Sequence, residues 1–312
     1  MGRYTKYFLL CGIALLSVES FFNNGTVYRL YQKGKKVVVS GITLVGGGDR
    51  QQTIAKNEML LEMAIPREKM TETVLYKKYF VVSYNTEYKN PNWVGWRLTG
   101  NHVYGEVKRP SGKAFHKDPD LMDSQADPLD FRGSGYSRGH LCPAGDNRWS
   151  REAMYESFCM TNVCPQLEEL NTGEWNDLEN KCRKWAQRYG VIYIIAGPVY
   201  NETMEYIGNT NVRVPAGFFK VVLRTGNNPQ TIAFFFDNRQ NVPERMSVMS
   251  VKDMEKLTGL VFFPLLPDEL EKKLKSSFNI NQWNYGYTKK KRIGRGFRRR
   301  TISLRRMVYR TV

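Results

Sequence analysis

The chain is 312 residues long, 41% hydrophobic, with a formal net charge of +17. That length and apolar content suffice for one large core, or for one domain with appended segments. The charge points away from a cationic partner and toward a polyanion such as nucleic acid or an anionic membrane. It is unevenly spread: Lys289 to Val312 carry eleven Lys or Arg and no Asp or Glu, which is +11 of the +17 and leaves +6 for everything before.

At the N-terminus, Arg3 and Lys6 precede an uncharged apolar run, Tyr7 to Val18, followed by Val18-Glu19-Ser20 as a candidate cleavage site. The pattern predicts a signal peptide over residues 1–20 and hence a secreted or periplasmic protein. The run of about twelve residues falls short of the roughly 20 that cross a bilayer. No stable membrane insertion is therefore expected, an uncleaved anchor being the alternative. Export bears on Cys142, Cys159, Cys164 and Cys182, which outside a reducing compartment could form up to two disulfides, with three possible pairings. Buried free thiols are the alternative. The absence of a CxxC pair argues against a structural zinc site.

Residues 21–65, with Val45-Gly46-Gly47-Gly48-Asp49 near their middle, lack a sustained period and read as a linker or pro-like segment. From Pro66 the pattern becomes globular. Tyr79–Tyr84 and Trp93–Leu98 read as two strands of a hairpin around a turn at Asn90-Pro91-Asn92. Gly173–Tyr189 carries a helical apolar stripe, with Trp175, Leu178, Cys182, Trp185 and Ala186 on one face. Val191–Ala196 reads as a buried strand stopped by Gly197-Pro198. Phe218–Leu223 and Ile232–Phe236 form a second hairpin, and short helices are expected over Val251–Thr258 and Asp268–Lys275. Strands and helices mix without a βαβ rhythm, which predicts an α+β fold around a largely antiparallel sheet over residues 66–280. Residues 281–312, with the stretch KKKRIGRGFRRR, read as a basic tail without a core of its own.

Three histidines are available as general bases: His102, His116 and His140. His140 lies in Gly135-Tyr136-Ser137-Arg138-Gly139-His140-Leu141, where an extended backbone puts Arg138 on the same side as His140. An imidazole near neutral pKa can take a proton from water, and a guanidinium can hold phosphate oxygens. His102 and His116 are expected at the surface. Further along, Asn171 precedes the predicted helix and Glu179 lies inside it. Eight helical residues span roughly 12 Å and turn the two side chains roughly 80° apart, which disfavours a shared first coordination shell. A neutral carboxamide with waters suits Mg²⁺, and Glu179 would act through a metal-bound water.

These segments resemble the DNA/RNA non-specific endonucleases, the ββα-metal (His-Me finger) nucleases. The family's Asp-Arg-Gly-His motif stands here as Ser137-Arg138-Gly139-His140, its Ser/Thr-Asn-x-x-Pro-Gln motif as Thr161 to Gln166, and its Leu-Asn-x-x-x-Trp-x-x-Leu-Glu motif as Leu170 to Glu179. The resemblance implies an Mg²⁺-dependent hydrolase of DNA and RNA phosphodiesters, with Mn²⁺ or another divalent cation as alternatives. It implies His140 as general base, Asn171 as the direct metal ligand and Glu179 as the group that positions metal waters. Asn162 would hold His140 or the phosphate, Arg138 would contact phosphate, and Arg109 is matched to a second family arginine. Ser137 departs from the motif's aspartate and removes a carboxylate beside His140. That departure and the basic tail motivate the alternative of a nuclease-fold polyanion-binding module with little cleavage. A homodimer is left open.

Overall fold

The computed structural model describes residues 61–283, apart from 112–113, 122–123, 227 and 243–244. The N-terminal apolar run, most of the expected linker and the basic tail from Lys289 lie outside the described residues.

The long apolar and aromatic runs build a seven-stranded antiparallel sheet. Its strands are β2 (Thr73–Tyr76), β3 (Val81–Asn85), β4 (Asn90–Thr99), β7 (Val191–Val199), β10 (Gly217–Arg224), β11 (Gln230–Asp237) and β12 (Met246–Met249), in the order β12-β11-β10-β7-β4-β3-β2. The central strands are buried on both faces, so they read as continuous hydrophobic runs. Against one face packs the helix Glu174–Tyr189 (α4 in chain order), whose Trp175, Leu178, Cys182, Trp185 and Ala186 join the main core with Val94, Trp96, Ile194, Phe218, Val222 and Phe234. The stripe read from the sequence is the buried stripe.

Short elements complete the domain. β1 (Ala64–Pro66) pairs with β13 (Leu260–Phe262), β5 (Ser137–His140) with β6 (Val163–Gln166), and β8 (Tyr206–Ile207) with β9 (Val212–Arg213). The remaining α-helices are α1 (Gly100–Val103), α2 (Arg151–Ser157), α3 (Glu168–Thr172), α5 (Val251–Thr258) and α6 (Asp268–Lys275). The last two match the predicted spans. Ser250 caps α5 through the Asp253 amide, and Gly259 ends it at φ +69°, a conformation glycine adopts without strain.

Several local expectations are corrected. The first hairpin turns at residues 86–89, not at Asn90-Pro91-Asn92, which belong to β4. Asn85 makes that turn by accepting the Glu87 and Tyr88 amides on its side chain, both at 3.0 Å. Pro91 is tolerated where the β3–β4 register shifts. β7 runs on through Gly197-Pro198 to Val199, because its pairing with β4 ends at Ala196 and Pro198 faces only β10. Gly197 is needed there: a Cβ would lie 2.4 Å from the Asn92 carbonyl oxygen. Ala64 and Ile65, expected in the linker, are paired and buried. Trp283, expected in the tail, is fully buried with its ring 4.8 Å from that of Trp185. Of the two readings of Cys142, Cys159, Cys164 and Cys182, the structure has the buried free thiols. His102 and His116 are half-buried, stacked on Trp149 and Tyr155. Among the described residues no helix is long and apolar enough to cross a membrane.

Candidate active site

The hairpin β5–β6 and the helices after it place the predicted residues. In its register His140 faces Val163, Gly139 faces Cys164 and Ser137 faces Gln166. Gly139 sits tight against the partner strand: a Cβ there would lie 2.4 Å from Gln166 Oε1. Each end of β5 is tied to the helical segment. Ser137 Oγ donates to the Glu168 carboxylate at the start of α3, and the indole Nε1 of Trp175 in α4 donates to the His140 carbonyl oxygen at 3.2 Å. Asn171 lies between those two anchors, in the last turn of α3. The helix breaks at Gly173 (φ −96°, ψ −115°), where only glycine fits, since a Cβ would meet the Glu169 carbonyl oxygen at 2.5 Å. Asn171 is therefore not the N-cap of the long helix; Gly173 occupies that position.

His140 is buried, and its Nε2 has no hydrogen-bond partner among the described residues. Two rings hold the imidazole, Phe115 and Phe158, each with its centroid 5.0 Å away. Each ring also carries an arginine: the Arg138 guanidinium lies 4.7 Å from the Phe115 centroid, and that of Arg109 5.8 Å from Phe158. Burial first, then the charges of Arg109 and Arg138, hold the imidazole far below its ordinary range, at about 3. The ring is therefore neutral at pH 7, as a proton acceptor must be. Phe115 and Phe158 went unnoticed as site residues, because a phenylalanine in sequence signals only core.

Asn162 lies elsewhere than expected. Its carboxamide accepts the Cys142 amide at 2.9 Å and donates to the Cys142 and Ser157 carbonyl oxygens, both at 2.8 Å. It clamps the backbone two residues past His140 and touches neither the imidazole nor an open face. Asn171, in contrast, is half-buried and its carboxamide has no hydrogen-bond partner among the described residues.

Glu179 is buried on α4, with Oε1 3.9 Å from the Lys220 ammonium. Burial raises its carboxyl to about 7; Asp146 pushes the same way, while Lys220, Arg183 and Arg109 oppose. Arg109 thus acts electrostatically on both His140 and Glu179. Asp146 is itself held by the Arg183 guanidinium at 2.8 Å and the Trp96 indole at 3.0 Å. Lys220, Asp146 and Arg183 are site-flanking charges that sequence reading missed. They come from three separate segments with no shared motif.

Among the described residues no three of His, Cys, Asp or Glu cluster as metal ligands. Of the two predicted oxygen donors, the Asn171 carboxamide has no partner among the described residues and the Glu179 carboxyl is buried. Such a sparse, hard-oxygen set fits a cation that keeps most of its water, which is the behaviour of Mg²⁺.

A two-stranded hairpin bearing the histidine, followed by helices bearing the asparagine and glutamate, defines the fold as that of the ββα-metal nucleases. A model of the DNA/RNA non-specific endonuclease family matches residues 65–269. The chain belongs to this family of nucleases. It is 35% identical over 216 residues to mouse "Nuclease EXOG, mitochondrial", covering 63% of this chain and 58% of that protein. It is 29% identical over 203 residues to human "Endonuclease G, mitochondrial" (60% and 68%). It is 31% identical over 209 residues to "Nuclease C1" of Cunninghamella echinulata var. echinulata (62% and 83%). The chain thus spans somewhat under three fifths of the EXOG protein it matches. A crystal structure of an EndoG/EndoGI complex aligns with a TM-score of 0.59 at 25% identity, over 72% of this chain and 95% of that one.

Proposed function

We propose that this protein is a metal-dependent endonuclease that hydrolyses DNA and RNA phosphodiester bonds with little sequence preference. The observation that carries the reading is the buried Nε2 of His140, unpartnered among the described residues, with the charges of Arg109 and Arg138 acting on the ring. The Asn171 carboxamide and the Glu179 carboxylate would hold a hydrated Mg²⁺. When bound, the cation would neutralise phosphate charge and stabilise the leaving oxygen. The chain's own residues do the rest. Neutral His140 takes a proton from water as its oxygen attacks phosphorus and the bond to the leaving oxygen breaks. Phe115 and Phe158 fix the ring and exclude other water. Arg138 and Arg109 draw the phosphate toward His140 and stabilise the charge that grows on it. Contacts of this kind read phosphate geometry and leave base identity unread.

The test is cleavage of supercoiled plasmid and of RNA by the purified chain with Mg²⁺, and with a chelator. His140→Ala should lose about 10²- to 10⁴-fold in rate. Equal rates in the two proteins would remove His140 from the mechanism. Retained, salt-sensitive DNA binding with no metal-dependent cleavage would favour the second reading, a polyanion-binding module, for which Ser137 in place of the family aspartate is the motive.

We also propose export, on the charged start and apolar run of residues 1–20. Two of the relatives above carry "mitochondrial" in their names. Recovery of the full chain in the culture medium or periplasm supports export, and recovery inside an organelle overturns it.

A further inference from the structure

Strand β10 alternates its faces, so Phe218, Lys220 and Val222 point the same way. Phe218 and Val222 enter the core that holds Trp175, Leu178 and Cys182 of α4. An apolar residue is expected between them. The chain instead buries an ammonium completely, with no hydrogen-bond partner among the described residues. Desolvating a charge this way is costly unless something nearby compensates for it. Two groups do. The Lys220 Nζ lies 3.9 Å from the Trp175 ring centroid and 3.9 Å from Glu179 Oε1, with the Trp96 ring at 5.7 Å on another side. Trp175 and Glu179 are four residues apart and share one helix face. The same indole donates to the His140 carbonyl.

We propose that Lys220 is a positioning residue of the candidate active site: its ammonium, seated on the Trp175 ring, fixes the Glu179 carboxylate and through it the cation's water shell. The inference rests on the nuclease reading above. Lys220 is fully buried and touches no substrate, so a loss on its substitution passes through α4.

The experiment is a double-mutant cycle of Lys220→Met and Glu179→Gln. Methionine keeps an unbranched chain of similar length without the charge. Plasmid cleavage is measured at saturating Mg²⁺, and Mn²⁺ binding is measured by calorimetry without nucleic acid. K220M should lower kcat and Mn²⁺ affinity about tenfold or more, as supporting partners of metal ligands do, and leave KM for DNA nearly unchanged. E179Q/K220M should be no slower, and should bind Mn²⁺ no more weakly, than E179Q alone. Additive losses, or a K220M protein with normal kcat and Mn²⁺ affinity, overturn the proposal. If K220M does not fold, E179Q against E179Q/K220M gives the same decision, because the double variant leaves neither charge unpaired. A wild-type chain without metal-dependent cleavage takes down the nuclease reading and Lys220 with it. A wild-type chain that cleaves, with additive variants, removes Lys220 alone.

Discussion

Trp175 holds His140 from behind: its indole Nε1 donates to the His140 carbonyl oxygen at 3.2 Å, across 35 residues of sequence. One hydrogen bond therefore joins the strand that carries the candidate base to the helix that follows Asn171. Trp175→Phe keeps the ring in the core and deletes this bond. It should cost about 2 to 4 kcal/mol of stability, from the lost bond and the space the smaller ring leaves in the core, read by urea unfolding, yet lower kcat by more than the loss of folded protein explains. Wild-type kcat in Trp175→Phe would show that the bond only supports the fold.

The low pKa of His140 sets a pH dependence. Free imidazole titrates near 6.5, whereas in the fold it is held at about 3. Between these values the unfolded chain binds one proton more, so this group's stability is present above about pH 6.5 and lost as pH falls toward 3. The slope is about 1.4 kcal/mol per pH unit. Glu179 has the opposite sign: raised to about 7, it contributes stability present below its ordinary carboxylate pKa and lost as pH rises through 7. In metal-free protein, His140→Gln should flatten the acid-side loss between about pH 3 and 6.5. Denaturant midpoints across that range check it, and an unaltered profile would contradict the burial of this imidazole.

Asn162 makes three backbone hydrogen bonds from a fully buried carboxamide. Asn162→Ala strands the Cys142 amide and two carbonyl oxygens. A loss of about 2 to 4 kcal/mol is expected, with the active fraction falling in step with the folded fraction. Normal stability with lost activity would instead give Asn162 a direct part in the chemistry.

The tail carries eleven cations from Lys289 onward. Deleting Lys289–Val312 should weaken DNA binding and flatten its salt dependence by about 0.9 in log–log slope for each phosphate contact removed. Binding isotherms at several salt concentrations measure this, and an unchanged slope would exclude a tail contribution.

With no disulfides among Cys142, Cys159, Cys164 and Cys182, denatured protein should titrate the same number of thiols with and without reductant. A count lower by two or four without reductant would show that one or two disulfides form.

Much of the fold was legible where one period dominates. α5, α6 and the span of α4 follow from apolar spacing, and β7, β10 and β11 from continuous hydrophobic runs. The turn at residues 86–89 was missed because Asn90-Pro91-Asn92 imitates a turn, while Asn85 makes one through its own side chain. The hairpin β5–β6 was missed as secondary structure, since four-residue strands leave almost no periodic signal. Its motif residues were still found.

The sequence by itself determined the residues in play, because the chemistry of His140, Arg138, Asn171 and Glu179 is written in short, ordered segments. Only the tertiary structure decided their environment. A pKa of about 3, a clamped Asn162 and a lysine buried between an indole and a carboxylate arise from side chains distant in sequence meeting in a low-dielectric interior. Burial and charge proximity are properties of the packed chain, and no local pattern encodes them.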